Sequence, residues 1–284
     1  MTGVQTCALP ISLIEYAFEH LRGAGVKEFV VNTHHLPDEY RRAFPCGTWQ
    51  GCPVTFRHEP ILLETGGGLA NVQDLLAGDE PFFVYNGDVF TDLPLAPAMA
   101  QHRADGNLVT LILRSTGPVS NVAMDVRDRR VLDLRNARGT NHPDQYQFTG
   151  LYIVEPAFFK HLPAAGVIES VVVSWLRAIA DGERLGGVIV DDGLWLDLGD
   201  RASSLEAHRL IPCKSRIHET ACIAGSAQVD VASSLGVGCV VEEGAIVRHS
   251  ILWPGSRVSA GARLENCVVM AGHTAAGRLL NADV

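Results

Sequence analysis

The chain has 284 residues, 47% of them apolar and 19% charged, which fits one large soluble domain or two smaller ones. A formal charge of −9, with no run of lysine and arginine, excludes a surface-wide nucleic-acid footprint. Apolar runs such as Val171–Val173 fall far short of the roughly 20 residues that span a bilayer, so no membrane partner is expected.

Residues 1–12, MTGVQTCALPIS, have no basic start, and Pro10 interrupts their short apolar stretch. They read as a leader unlike the rest of the chain, not as a signal peptide. Helical spacing begins at Leu13, where Leu13, Ile14, Ala17, Phe18 and Leu21 share one face. Gly23 and Gly25 end that helix. Strands are predicted at 28–32, 54–56, 81–85, 108–113 and 150–154, and a helix at 68–76. Strands separated by helical stretches predict a doubly wound, Rossmann-like α/β layer. Ligands of such layers bind beyond the carboxyl ends of the strands, where Asn86-Gly87-Asp88 would fall.

After about Pro212 the period changes to six. Ile217, Ile223, Val229, Leu235, Val241 and Val247 lie six apart, and small residues follow four places on, at Ala221, Ala227, Ser233, Cys239 and Ala245. The frame slips once and continues as Leu252, Val258, Leu264 and Met270, with Ser256, Ala262, Val268 and Thr274 in the second series. A hexad repeat predicts a triangular coil of three short strands per turn, aliphatic side chains inward and small ones at the corners. Such a coil is a scaffold, for packing or for self-association. The domain plan is therefore a leader at 1–12, an α/β domain at 13–211 and a coil at 212–284. The 7 cysteines form no CxxC pair, which suits reduced thiols in a cytoplasm.

Three stretches carry candidate chemistry. Glu64-Thr65-Gly66-Gly67-Gly68-Leu69 combines glycines that allow close backbone approach with N–H groups at a helix start, suited to an anion or a planar base. A glycine turn capped by a threonine has the same composition. Asp88 follows an apolar strand directly, which suits either a turn or a hard-cation ligand. Asp197, between Leu196 and Leu198, needs a partner or a metal if it faces inward. Together, two strand-end aspartates and a glycine-rich loop are equipment for phosphoryl or nucleotidyl transfer over Mg²⁺.

At these residues the chain resembles the sugar-1-phosphate nucleotidyltransferases (NDP-sugar pyrophosphorylases). Pro10–Leu21 is similar to the family's PLIEY helix, and Phe148-Thr149-Gly150-Leu151-Tyr152 to its sugar-contacting stretch. Trp195–Gly199 resembles the second metal-binding turn, and the hexads resemble the left-handed parallel β-helix that many members carry. ETGGGL and the NGDV turn are most like mannose-1-phosphate guanylyltransferases and N-acetylmuramate-1-phosphate uridylyltransferases. The resemblance implies that Asp88 and Asp197 are catalytic and hold Mg²⁺. It implies that Glu64, Thr65, Gly66, Gly67, Asn86 and Gly87 bind the nucleotide, and that Thr149 and Gly150 wall the sugar. Asp200 is expected to be structural. The implied substrates are an NTP, GTP or UTP, and a sugar 1-phosphate; the β-helix would serve a homo-oligomer.

Two departures stand out. The family's GxGTRxxP-like phosphate loop and its PKP lysine have no counterpart here, so catalysis by this chain is expected to be impaired. Where relatives carry an acidic-Lys-Pro stretch, this chain has Leu134-Arg135-Asn136-Ala137-Arg138, and Arg135 reads as a solvent-exposed loop arginine. The other readings are a non-catalytic relative that binds nucleotide sugars and, from the hexads with His249 and His273, an acyltransferase.

Overall fold

A computed structural model describes residues 13–76, 78–210 and 215–284; the expected leader and the expected boundary at 211/212 lie outside them. The chain forms two compact units. One comprises Phe18–Asn86 and Thr91–Trp195; the other comprises Gly87–Phe90, Leu196–Val284 and the described residues up to Ala17.

Helix α1 (Leu13–Gly23) precedes strand β1 (Phe29–Thr33), helix α2 (Pro37–Ala43) and strands β2 (Thr48–Trp49) and β3 (Cys52–His58). The expected apolar stripe of α1 is buried at all five positions, and Phe18 stacks on Phe29 with ring centroids 4.3 Å apart. β1 and β3 are parallel, and the chain runs from the carboxyl end of β3 into helix α3 (Glu64–Asn71). There follow β4 (Phe82–Tyr85), β5 (Val89–Thr91), α4 (Leu95–Asp105), β6 (Val109–Arg114), β7 (Ser120–Asp125), β8 (Arg130–Leu134) and β9 (Gln145–Val154). Helix α5 (Val171–Ala180), β10 (Leu185–Ile189) and β11 (Trp195–Asp197) complete the α/β part.

The main sheet has the order β4-β9-β6-β10-β8-β7. The expected alternation of strands and helices is present, but the sheet is mixed: β6–β10 is parallel, whereas β4–β9, β6–β9, β7–β8 and β10–β8 are antiparallel. For β7–β8 the physical reason is their tight connection, where Arg129 takes the left-handed conformation at φ 57°, since a short turn cannot join parallel neighbours. The unbroken burial of Val109–Leu113 in β6 fits a strand covered on both faces, and Leu111, Tyr152, Phe158 and Trp175 share its buried core.

In the other unit, strands of two or three residues stack in three parallel ladders. Cys222 pairs with Val240, Val240 with Arg257 and Arg257 with Thr274. Gln228, Ile246, Arg263 and Arg278 form the second ladder, and Ser234, Ile251 and Val268 the third. Leu235, Val241, Val247, Leu252, Val258 and Leu264 point into one core, all buried, as the hexads predict. On the first turns, contrary to the expectation of inward side chains, Ile217 and Val229 are half-buried and Ile223 is exposed, because among the described residues no coil is stacked before the first turn. The frame slips a second time, however: buried Val269 and Ala275 take the place expected for Met270, and Thr274 is exposed. Both slips occur beside left-handed non-glycine residues, His249 at φ 43° and Asn266 at φ 53°. With Asn281 at φ 51° they form a corner ladder, in which His249 Nδ1 lies 2.7 Å from Asn266 Oδ1 and Asn266 Nδ2 donates to Asn281 Oδ1 at 3.1 Å. Side-chain bonding of this kind lets asparagine hold a conformation otherwise left to glycine.

Helix α6 (Arg201–Leu210) packs Leu205 against Ile251 and Val268 of the coil. Its His208 is buried with Nδ1 unpartnered; burial first and the Arg216 charge second push its pKa down to about 4. The unfolded imidazole titrates near 6.5, so the unfolded state takes up the proton first. Stability is therefore expected to fall between about pH 6.5 and pH 4, by on the order of 3 kcal/mol. His208→Leu should flatten this dependence in a series of thermal denaturations across pH. Identical slopes for the two proteins would refute the assignment.

Candidate active site

The glycine stretch opens α3 at Glu64, earlier than the helix predicted from residue 68. Glu64 is exposed and held at φ 59°, a conformation that costs a non-glycine residue and marks positions fixed by their surroundings. The Thr65 hydroxyl accepts from Val171 N–H at 3.0 Å. Gly66 and Gly67 donate their N–H groups to the Glu169 carbonyl at 2.8 and 3.0 Å. These two donors, read from the sequence as suited to an anion, are therefore spent inside the protein. The glycines serve close packing: a Cβ on Gly66 would come within 2.8 Å of the Glu169 carbonyl, and one on Gly67 would run into that of Val167. From the other side, the Asn32 amide donates to Glu59 and to the Gly68 carbonyl, and Glu59 is a buried carboxylate. The sequence reading missed both braces; a charged residue before Pro60, at a strand end, was the available signal.

Strand β9 carries the Thr149-Gly150 pair at an irregularity in its register with β6. Gly150 has φ 84°, and its carbonyl accepts from Asn86 N–H at 3.0 Å, which joins the end of β4 to this bulge. Thr149 is buried, its hydroxyl donates to the Ile112 carbonyl at 2.8 Å, and its carbonyl accepts from Trp195 Nε1 at 2.7 Å. The threonine side chain thus shapes the bulge from within the sheet.

Beside this bulge lies a cavity of about 120 Å³, lined among others by Asn121, Leu134, Arg135, Phe148, Val172 and Trp175. Arg135 is exposed, as expected, yet it also borders the cavity, held at φ 56° with its N–H on the Asn121 carbonyl at 2.7 Å. Buried Asp133 fixes that loop by accepting from Leu134, Arg138 and Thr140 N–H groups and from the Thr140 hydroxyl. Burial opposes its ionisation, but these hydrogen bonds outweigh burial and hold its pKa below the ordinary carboxylate value. Trp175 is fully buried and its Nε1–H has no partner, an unmet donor in a residue that lines the cavity.

In the other unit, β5 and β11 pair and bring two carboxylates together. Leu198 N–H donates to the Asp88 carbonyl at 2.8 Å. Desolvation first and the charge of Asp197 second raise the Asp88 pKa, as expected of like charges sharing a site. Asp197 is exposed, and a Cβ on Gly199 would stand 3.3 Å from its Oδ1. Asp200 caps α6, its Oδ1 accepting from Ser203 N–H at 2.8 Å, which is the structural role expected of it. Among the described residues no third histidine, cysteine or acidic side chain completes a three-ligand cluster. Two neighbouring carboxylates, one of them destabilised as an anion, fit Mg²⁺, which binds one or two carboxylates and keeps waters or phosphate oxygens in its other positions.

The α/β framework carries a glycine-opened helix and a pair of neighbouring aspartates. The nucleotidyl transferase family model matches residues 6–213, and the chain belongs to that family. It is 26% identical over 277 residues to the mannose-1-phosphate guanylyltransferase of Mycobacterium tuberculosis, covering 92% of this chain and 76% of the relative. It is 24% identical over 311 residues to the UTP–glucose-1-phosphate uridylyltransferase of a Synechocystis species, covering 90% and 79%. Among solved structures, HddC from Yersinia pseudotuberculosis aligns with a TM-score of 0.54 at 16% identity, over 68% of this chain and 83% of that one; this likeness shows the fold.

Proposed function

We propose that this protein transfers a nucleotidyl group from an NTP to a sugar 1-phosphate, giving an NDP-sugar and pyrophosphate. Family membership supports the reaction class, and the relatives' guanylyl- and uridylyltransferase names favour GTP or UTP. The observation that carries the reading is the Asp88–Asp197 pair. A sugar phosphate oxygen attacks the α-phosphorus in line, and the bond to the pyrophosphate oxygen breaks on the far side. Asp88 and Asp197 would hold Mg²⁺, whose charge offsets that of the phosphates. Glu64 and Thr65 offer polar contacts to the nucleotide, with the backbone of Gly66 and Gly67 behind them, and Asn86 and Gly87 contact ribose or sugar. Thr149 and Gly150 form the sugar wall through their backbone, with the Thr149 side chain turned into the sheet.

We assign the coil to a left-handed β-helix of hexapeptide repeats and propose that it supports a homo-oligomer; Ile223, Val231 and Val237 are exposed on its first turns. Among the described residues no helix is long and apolar enough to cross a membrane. The free thiols of Cys46, Cys52, Cys222, Cys239 and Cys267 support a cytoplasmic location. The test is pyrophosphate release with Mg²⁺, screening four NTPs against a panel of sugar 1-phosphates. Release that requires one NTP and one sugar phosphate together is expected. Release independent of any sugar phosphate would overturn the reading.

A further inference from the structure

Resting on the nucleotidyl-transfer reading, we propose that His20 is a positioning residue for Asp88, holding both ends of the segment that carries this carboxylate. Segment 86–92 leaves β4 at Tyr85 and passes through Leu93 towards α4. His20 of α1 touches both flanks. Its Nε2 lies 2.7 Å from the Leu93 carbonyl oxygen and its Nδ1 3.4 Å from the Tyr85 hydroxyl, and the two rings meet edge to face with centroids 5.9 Å apart. A carbonyl only accepts, so Nε2 carries the proton and Nδ1 is left to accept from the Tyr85 hydroxyl. Burial, the largest influence, lowers the His20 pKa against the pull of the Leu93 carbonyl and the Asp92 charge. It thereby favours the neutral ring that this bonding pattern requires.

The second argument is the helix face. Tyr16 stands four residues before His20, so both lie on one side of α1. Within its own unit Tyr16 meets Phe90 edge to face, with ring centroids 5.2 Å apart, two residues after Asp88. One side of α1 therefore contacts the segment before, within and after its turn. The third argument is chemistry. A leucine would fill the place of His20 without desolvating a polar ring. The imidazole supplies instead two directed contacts, one to each flank, that apolar packing does not. A carboxylate holds a metal well only when the groups behind it fix its place.

The test is Mn²⁺ binding to the full chain, read from the electron paramagnetic resonance signal of the free ion; Mn²⁺ takes the same oxygen ligands as Mg²⁺. His20→Leu, which keeps the bulk and removes both polar contacts, is expected to raise the dissociation constant about tenfold. His20→Gln, whose amide can still donate to the Leu93 carbonyl, should stay within about threefold of the parent. Tyr85→Phe, which removes only the hydroxyl, should weaken binding about threefold and decides the matter if His20→Leu fails to fold. With Asp88→Asn weakened, parent-like affinity in a folded His20→Leu, or a His20→Gln as weak as His20→Leu, would overturn the inference alone. So would parent-like affinity in Tyr85→Phe where His20→Leu does not fold. Parent-like affinity in Asp88→Asn, or no Mn²⁺ bound by the parent, would overturn it together with the metal site of the nucleotidyl-transfer reading.

Discussion

Asp88→Asn is expected to lower pyrophosphate release by at least about 100-fold while leaving the protein folded and no less stable. The loss follows from removing one of two charges that hold the cation; stabilising charge on transferring phosphates is worth several kcal/mol in such sites. The stability follows from the same environment. Desolvation and Asp197 raise the Asp88 pKa, so at neutral pH the folded protein carries this carboxylate at a cost that the unfolded chain does not bear. Asparagine removes that cost, and the thermal midpoint should stay level or rise. A group kept for chemistry against its own stability is a familiar trade. Turnover near that of the parent, or a clear drop in the thermal midpoint, would show that Asp88 serves the fold.

Gly67→Ala is expected to destabilise the protein by about 2–3 kcal/mol and to weaken nucleotide binding with it. The obstacle is the backbone carbonyl of Val167, which cannot swing away as the end of a side chain can, and the Gly67 N–H is tied to Glu169. Relief requires α3 to separate from the start of α5. Gly23→Ala is the control, since nothing lies within 4 Å of its added Cβ and a helix end tolerates alanine. Urea denaturation of the two variants separates a demand for close packing from a general intolerance of substitution; equal midpoints would contradict the packing argument.

The contrast between these glycines and the hexads shows what the sequence could reveal. The α1 stripe and the coil were legible because one physical rule, burial of one face, repeats at a fixed interval. The second frame slip escaped because Val269 and Met270 are both apolar neighbours, and the choice between them rests on the Asn266 corner. The mixed sheet escaped because β7 and β8 carry polar residues such as Asn121 and Asp133, which break the apolar pattern of a strand. In the candidate site the residue types at Asp88, Asp197 and Glu64 were informative on their own. Glycine was not: Gly66 and Gly67 are required by a neighbouring segment about a hundred residues on in the chain. Asp133, Glu59 and the Trp175 N–H could not be found, because a buried hydrogen bond, or the lack of one, leaves no mark on local composition. Arg135 was correctly read as exposed.

The most direct test is product analysis by mass spectrometry after incubation with Mg²⁺, an NTP and a sugar 1-phosphate. Nucleotide sugar and pyrophosphate are expected in equal amounts, and neither should arise after metal removal or in Asp88→Asn. Nucleoside diphosphate and inorganic phosphate as products, or no nucleotide sugar, would contradict the assignment.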